Sequence, residues 1–573
     1  MKSDAVSQWK GNAMTDDTAI LCKNNTRASA LFYDLLDRAE RGAYDGDFLT
    51  QLAAYRTEGS AEHADIFAAE YLCANGDAEG AIVCAERAFR SRPVEPRVWK
   101  ILAQAYAAAG RYADALIMQG YPLNFFHVPL TLNMPSSVLT KETIDRLSRA
   151  TGKANYAPYA LSRMSYDPAE GLTAKTGVFF EEFLPVSEHI QPLYYVGAYT
   201  DQEVRGNKQW LMQSIRSVPG LVPKVGGDFT FDIMRAAPAG KTAVIDLAAD
   251  AEAIVPVFGT ADGQMVSLKT ENADDCVWLN PATPNYFRLN EKTTLSSADE
   301  LIIGTPIRIG QSPMRRRLVL NLLVDALPWQ VLRTSFAEHM PQTARFFARG
   351  TIFDQHFSVL EYTYPSLPTI ETGMYPQHTG VFSEWAAIEL DEDITTIAER
   401  ARDAGYATAS LMGDGIGIYN GVTRGYDRLV VSPCRTLAYE AVERTIRCLD
   451  GCRDADHFML LHVNDVHPWN GESSQISAPA QMRLRLPGRV SVPKDPASSP
   501  YLRPCEFYQE AFWQAVHDTD RALGMLFDYL ERNYAPEDYL VNLYSDHGVA
   551  IFSPMHYIVD KQLTGATWMM RGG

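Results

Sequence analysis

Leu318-Val-Leu-Asn-Leu-Leu-Val324-Asp325 is a strand-sized apolar run that ends in an acid. The design returns in Phe458-Met-Leu-Leu-His462-Val-Asn-Asp465 and again in Tyr539-Leu-Val-Asn-Leu-Tyr-Ser545-Asp546. Helical patterns lie between them, one over 394–404 that leads through Gly405 into a strand at 406–412, and a long one around 507–532. Alternation of strand and helix predicts a mostly parallel sheet with helices on both faces. Such sheets gather functional groups at the carboxyl ends of their strands. Three strands that each end in an acid at that edge are the strongest signal in the chain.

Upstream the rhythm differs. Residues 28–130 read as Ala-rich helices with a period of 34, in which Gly76 recurs as Gly110 and Ala81 as Ala115, with Gly42 a further 34 upstream. Pro93 closes one unit, and Trp99, Leu102 and Tyr106 open the next. This period, with small residues where helices cross, resembles tetratricopeptide repeats, which implies a concave surface for a protein partner. Residues 170–312 change to short β-branched and aromatic runs separated by Gly, Pro, Asn and Asp, the pattern of a β-sandwich or jelly-roll module. Its aromatics (Tyr194, Tyr195, Trp210, Trp278, Tyr286, Phe287) are either core or a sugar-stacking face. Gly310-Gln-Ser-Pro-Met-Arg-Arg-Arg317 reads as a linker whose arginines form a solvated face.

The chain is therefore expected to be multidomain: a helical repeat region (28–130), a β-sandwich-like middle domain (170–312) and a C-terminal α/β domain (318–573). At 573 residues it is too long for one core, and its 46% hydrophobic and 21% charged content is that of a globular protein. A net charge of −18 argues against nucleic acid as the main partner. No apolar run reaches the ~18 residues of a membrane span, and the polar start lacks the apolar core of a secretion signal. Eight cysteines without a Cys-x-x-Cys pair suggest reduced, mostly buried thiols and a cytoplasmic protein.

Chemistry concentrates in four places: Asp325, the stretch Thr363-Tyr-Pro-Ser-Leu-Pro-Thr-Ile-Glu-Thr372-Gly-Met-Tyr-Pro376-Gln-His-Thr-Gly380, the segment His462-Val-Asn-Asp465-Val-His467, and Ser545-Asp546-His547-Gly548. Asp and His are ligands for zinc, manganese, magnesium or calcium, and a hydroxyl bound to such an ion loses its proton more easily. Thr363 stands just before Pro365, where a helix is expected to begin, and a helix N-terminus favours an anionic group. The pieces suggest a metal-activated Thr alkoxide attacking an anionic ester.

On these residues, 318–573 resembles the alkaline phosphatase superfamily, in its sulfatase and nucleotide pyrophosphatase/phosphodiesterase branches. The Thr-x-Pro-x-x-x-Thr-x-x-Thr-Gly-x-Tyr-Pro-x-x-x-Gly pattern at 363–380 is similar to the nucleophile loop of the phosphodiesterase branch, and Ser545–Gly548 to the family's late metal motif. Gly405-Tyr-Ala-Thr-Ala, Arg424-Gly-Tyr-Asp and the helix with Asp518, Asp520 and Gly524 follow the sulfatase-like layout. The resemblance implies that Asp325, Thr363, Asp546 and His547 hold one metal ion and that Thr363 is the nucleophile. It implies that His467, with Asp465, faces the leaving group or a second metal, and that His556 is a further ligand. Zinc or manganese is the first expectation, magnesium or calcium the next, with one or two ions per chain. Asp465 is equally a strand-end cap, and His378 a loop-packing residue.

The departures matter too. Sulfatases make formylglycine from Cys or Ser followed by x-Pro-x-Arg, whereas here Thr363 stands with Leu367 in the Arg position. Thr cannot become that aldehyde, so phosphoryl chemistry through phospho-threonine is expected instead. Met412-Gly-Asp-Gly415 replaces the sulfatases' Gly-Lys-Trp-type segment. Thr564–Gly573 resembles a strand that in relatives continues into further sequence, so a catalytic domain truncated at its C-terminus is expected. The expectation is a metal-dependent phosphoric-ester hydrolase or phosphotransferase, acting on a glycan or glycan precursor. Its competitors are a catalytically inactive scaffold or glycan-binding protein, and a metal-dependent phosphomutase.

Overall fold

The computed structural model describes residues 26–126, 128–131, 134–151, 160–167, 171–178, 183–184, 194–198, 230–248, 251–279, 283–354, 356–360, 362–382, 390–412, 420–431, 436–467, 482 and 506–548. Seven helices come first: α1 (Thr26–Glu40), α2 (Gly46–Glu58), α3 (Ala61–Ala74), α4 (Ala78–Ser91), α5 (Pro96–Ala108), α6 (Tyr112–Phe126) and α7 (Lys141–Thr151). Side chains cap their starts: Asp45, Ser60 and Asp77 each accept a first-turn backbone N–H. The 34-residue period has a physical form. Gly42, Gly76 and Gly110 all take positive φ, and after each the next residue's N–H reaches back to close the preceding helix (Ala43 to Arg38, Asp77 to Leu72, Arg111 to Tyr106). Trp99 is buried at the α4–α5 turn and donates its indole N–H to the Pro93 carbonyl at 2.6 Å.

The strands are β1 (Ala160–Asp167), β2 (Gly171–Val178), β3 (Phe183–Leu184), β4 (Tyr194–Ala198), β5 (Phe231–Ile245), β6 (Glu252–Gly259), β7 (Gln264–Lys269), β8 (Asp274–Leu279), β9 (Asn285–Leu289), β10 (Thr293–Gly304), β11 (Ile307–Ile309), β12 (Leu318–Val324), β13 (Ala407–Met412), β14 (Arg428–Val431), β15 (His457–Val463) and β16 (Tyr539–Tyr544). β14-β13-β15-β12-β16 pair in that order, all parallel. The helices of this region include α8 (Thr363–Thr372), α9 (Ile397–Asp403), α10 (Ala438–Gly451) and α11 (Glu506–Asn533). α10 and α11 bury Val442, Leu449, Leu523 and Phe527 against Leu320, Leu322, Met459 and Leu461 of the sheet. The polar interruption in β12 is satisfied across the ladder: Asn542 donates its amide to Asn321 at 2.9 Å.

β5 belongs to two sheets. Its first residues, Phe231–Met234, pair antiparallel with β14 at the edge of the parallel sheet. Its later residues pair with β10 in the antiparallel β module, which has its own core of Val255, Val257, Val266, Leu295 and Leu301. The junction is held by Arg428, which donates twice to buried Asp232 at 2.9 Å, a bidentate ion pair with Tyr286 against it.

Two sequence expectations need correction. Arg315 and Arg317 are not a solvated linker face, although Arg316 between them is exposed. Arg315 pairs with buried Asp456 at 2.7 Å and donates to the Ala404 and Gly405 carbonyls, while Arg316 and Arg317 bond the carbonyls of Glu537, Tyr539 and Arg453. They tie together the amino edge of the parallel sheet, where several strands begin close by. The described cysteines are not mostly buried either: Cys73, Cys84, Cys448 and Cys452 are half-buried, and Cys276 is exposed. Of the aromatics considered for sugar stacking, Tyr194 and Tyr195 are core, whereas Trp278 is 66% exposed on β8 beside Met265 of β7; Trp210 lies outside the described residues. No helix among the described residues is long and apolar enough to cross a membrane.

Candidate active site

The carboxyl ends of β12, β15 and β16 are neighbours, because β12 lies between the other two. Residues far apart in sequence therefore meet there. Asp325 follows β12 and is buried, its backbone N–H donating to the Val463 carbonyl at 2.9 Å. The next residue, Ala326, has φ +60, and its N–H turns toward Asp546 Oδ1 at 3.3 Å. Leu327 N–H donates to Ser545 Oγ at 2.9 Å. The end of β12 is thus bent onto the end of β16.

Thr363 is the first residue of α8, which begins two residues ahead of Pro365, the expected start, and it is only 4% exposed. Its Oγ1 lies 3.2 Å from His547 Nε2 and 3.5 Å from Asp325 Oδ2. Tyr362 anchors the entry to this helix by donating its hydroxyl to the Phe382 carbonyl at 2.6 Å. His547 Nε2 is also 3.3 Å from Asp325 Oδ1 and 3.5 Å from Asp546 Oδ2. His467 Nε2 is 4.0 Å from Asp325 Oδ1, and ligand atoms of Asp325, His467 and His547 all lie within 4.8 Å of one another. His467 therefore joins the same cluster as Asp325 and His547.

The electrostatics follow from burying these groups together. Burial pushes the Asp325 carboxyl up, but His467 nearby, the hydrogen bond from His462 and the adjacent His547 imidazole outweigh it and hold the group well below the usual carboxylate range. Burial and the Asp325 charge raise Asp546. Burial alone would lower His547, but Asp546 and Asp325 bring it up to about 9.

Two observations bear on a divalent cation here. Asp325 Oδ1 and Asp546 Oδ2 are buried carboxylate oxygens that share the one nearby His547 Nε2, at 3.3 and 3.5 Å, so two buried charges converge where a divalent cation would compensate both. His547 Nδ1 sits 2.9 Å from the Gly548 carbonyl, the second contact that places a proton on Nδ1 and turns Nε2 toward the cluster. Carboxylate oxygens and imidazole nitrogens suit zinc or manganese. The residues fit the group.

Other expected residues go elsewhere. Asp465 Oδ2 accepts the Ala438 N–H at 2.7 Å and caps α10. Asp520 accepts from the Gln342 and Thr343 backbone N–H groups and the Thr343 hydroxyl, a structural role. His378 is exposed in a short helix. His556, the segment 413–419 and 564–573 lie outside the described residues. Sequence reasoning quoted His462 but gave it no role, yet its Nε2 is 3.2 Å from Asp325 Oδ2. The strand it occupies is buried at all seven positions, so no alternation of burial marked its side chain.

Residues 318–565 match the family model described as Sulfatase. That match covers less than half of the chain and marks the C-terminal region as similar to the sulfatase family. No curated protein sequence matches the chain. Solved structures similar to it include an alkaline phosphatase superfamily protein from Vibrio parahaemolyticus (16% identity over 42% of this chain and 56% of that one, TM-score 0.30). Phosphonate monoester hydrolases from Agrobacterium radiobacter (18%, 41% and 63%, TM-score 0.30) and Silicibacter pomeroyi (17%, 40% and 62%, TM-score 0.30) are also similar. In each case the matched part spans less than two thirds of the neighbour's own length.

Proposed function

We propose that the C-terminal domain is a metal-dependent phosphoric-ester hydrolase or phosphotransferase with Thr363 as nucleophile. The observation that carries this reading is the placement of the Thr363 hydroxyl: buried, at the start of α8, and within 3.5 Å of both His547 and Asp325. A divalent cation held by Asp325, Asp546, His547 and the Thr363 oxygen would make that hydroxyl ionise near neutral pH. The remaining work falls to the chain itself. The first turn of α8 directs its positive potential at the anionic ester. Thr363 Oγ forms a bond to phosphorus as the bond from phosphorus to the ester oxygen breaks, and the departing oxygen takes up a proton from His467, which is 25% exposed. Water, or an acceptor hydroxyl in the transfer reaction, then attacks phosphorus, releases Thr363 and passes its own proton to His467.

Formylglycine chemistry is set aside because Thr363 cannot supply the aldehyde. A phosphate carried on a glycan is the substrate class we favour, supported by the exposed Trp278 ring of the adjoining β module. The helical region would then bind a protein partner.

The test is turnover of p-nitrophenyl phosphate, its phosphodiester analogue and its sulfate ester by chain loaded with zinc or manganese, beside Thr363→Ala. Metal-dependent release from a phosphate ester, lost in Thr363→Ala, is the expected result. Turnover of the sulfate ester at a comparable rate, or turnover unaffected by the substitution, overturns the reading.

A further inference from the structure

His462 has a place in the metal chemistry that its sequence context does not suggest. It lies one residue from the end of β15, in register with Leu323 of β12. Side chains two apart on a strand share a face, so Asp325 emerges on the same face of the sheet as Leu323, and hence as His462. The imidazole is fully buried, with Nε2 3.2 Å from Asp325 Oδ2. Its strand neighbours Leu460, Leu461 and Val463 are apolar, and a buried imidazole costs desolvation that a leucine at this site would not. What the histidine adds is a hydrogen bond to one particular oxygen.

The two oxygens of Asp325 are divided by their surroundings. Oδ2 faces His462 at 3.2 Å and Thr363 Oγ1 at 3.5 Å. Oδ1 faces His547 Nε2 at 3.3 Å and His467 Nε2 at 4.0 Å and accepts no hydrogen bond among the described residues. The ligand atoms that cluster are those of Asp325, His467 and His547, and His462 stands behind them.

We propose that His462 is a positioning residue: it donates Nε2–H to Asp325 Oδ2, fixes the carboxylate rotamer and leaves Oδ1 as the single oxygen offered to a divalent cation. This rests on the metal site of the proposed function. Partners of this kind typically change metal affinity by about 10–100-fold when removed.

The test is the affinity of the full-length chain for zinc and for manganese, measured by competition with a chromophoric chelator, with far-UV circular dichroism confirming the fold. His462→Leu keeps the volume and removes the donor, and weakens metal binding by about 10–100-fold. His462→Gln carries an N–H donor near the position of Nε2 and recovers most of the affinity. His462→Asn, whose amide reaches only as far as Nδ1, does not. The Gln–Asn pair decides the matter even if the leucine variant fails to fold. Wild-type binding that is unchanged within twofold in folded His462→Leu, or Gln no better than Asn, overturns the positioning role and leaves the proposed function standing. Wild-type chain that binds neither metal overturns both.

Discussion

The backbone N–H of Ala326 donates to Asp546 Oδ1 at 3.3 Å from a left-handed conformation, φ +60, which is otherwise confined to glycines among the described residues. This contact bends the chain just after Asp325 and ties the ends of β12 and β16. Strain of this kind costs about 1–2 kcal/mol in a residue with a Cβ. Ala326→Gly should therefore leave stability within about 1 kcal/mol of wild type, relief of strain offsetting the entropy of glycine. Ala326→Val should cost about 2 kcal/mol or more, because β-branched residues tolerate positive φ poorly. Urea unfolding of the two variants checks the pair.

Divalent metal should stabilise the fold measurably. Zinc or manganese at 100 times its dissociation constant adds about 2.7 kcal/mol to a state that alone binds it. A thermal shift that EDTA reverses, and that Asp325→Asn abolishes, is the expected outcome in differential scanning calorimetry.

Glu371, in the helix that begins with Thr363, is buried and accepts a hydrogen bond from Tyr426 Oη at 2.9 Å. Burial raises its carboxyl to about 8, and the Tyr426 bond offsets this only in part. A raised folded pKa means that the folded state holds a proton the unfolded state has released. The stabilisation is complete below the unfolded pKa of about 4.5 and is lost as pH climbs through 8, on the order of 5 kcal/mol in all. Glu371→Gln should flatten the fall in stability between pH 5 and 8, as followed by chemical denaturation across that range.

Asp465 is a helix cap in this structure. Asp465→Ala should lower stability by about 1 kcal/mol and leave zinc stoichiometry unchanged. Loss of a bound ion, measured by atomic absorption after dialysis, would instead make it a ligand.

Arg428 and Asp232 join the β module to the edge of the parallel sheet. Arg428→Ala strands a wholly buried carboxylate and should cost about 3–5 kcal/mol. Replacing both residues, Asp232→Leu with Arg428→Met, should recover much of that loss in equilibrium unfolding.

Much of this was legible in the sequence because it is local. Helix starts announce themselves by a capping side chain, as at Asp77 and at Thr396, where a capping box with Glu399 opens α9. The turn glycines recur every 34 residues because each must take positive φ. The strands at 318–324, 407–412, 457–463 and 539–544 lie within one residue of their expected bounds, since each is an apolar run closed by turn or acidic residues. The acids and histidines of the site were legible through their strand-end positions and the motif around Thr363. Pairing was not legible. Nothing in residues 231–245 says that one strand serves two sheets, and the three arginines at 315–317 look like linker until the carbonyls they bind, from 404 to 539, are brought to them. The role of Asp465 as a cap depends on where α10 begins, and that of His462 on its register with β12. The sequence by itself determined the elements, their order and the residue types available for chemistry, because propensity, capping and hydrophobic period act over a few neighbours. Only the tertiary structure decided which oxygen of Asp325 faces which histidine, because that depends on contacts between strands more than a hundred residues apart.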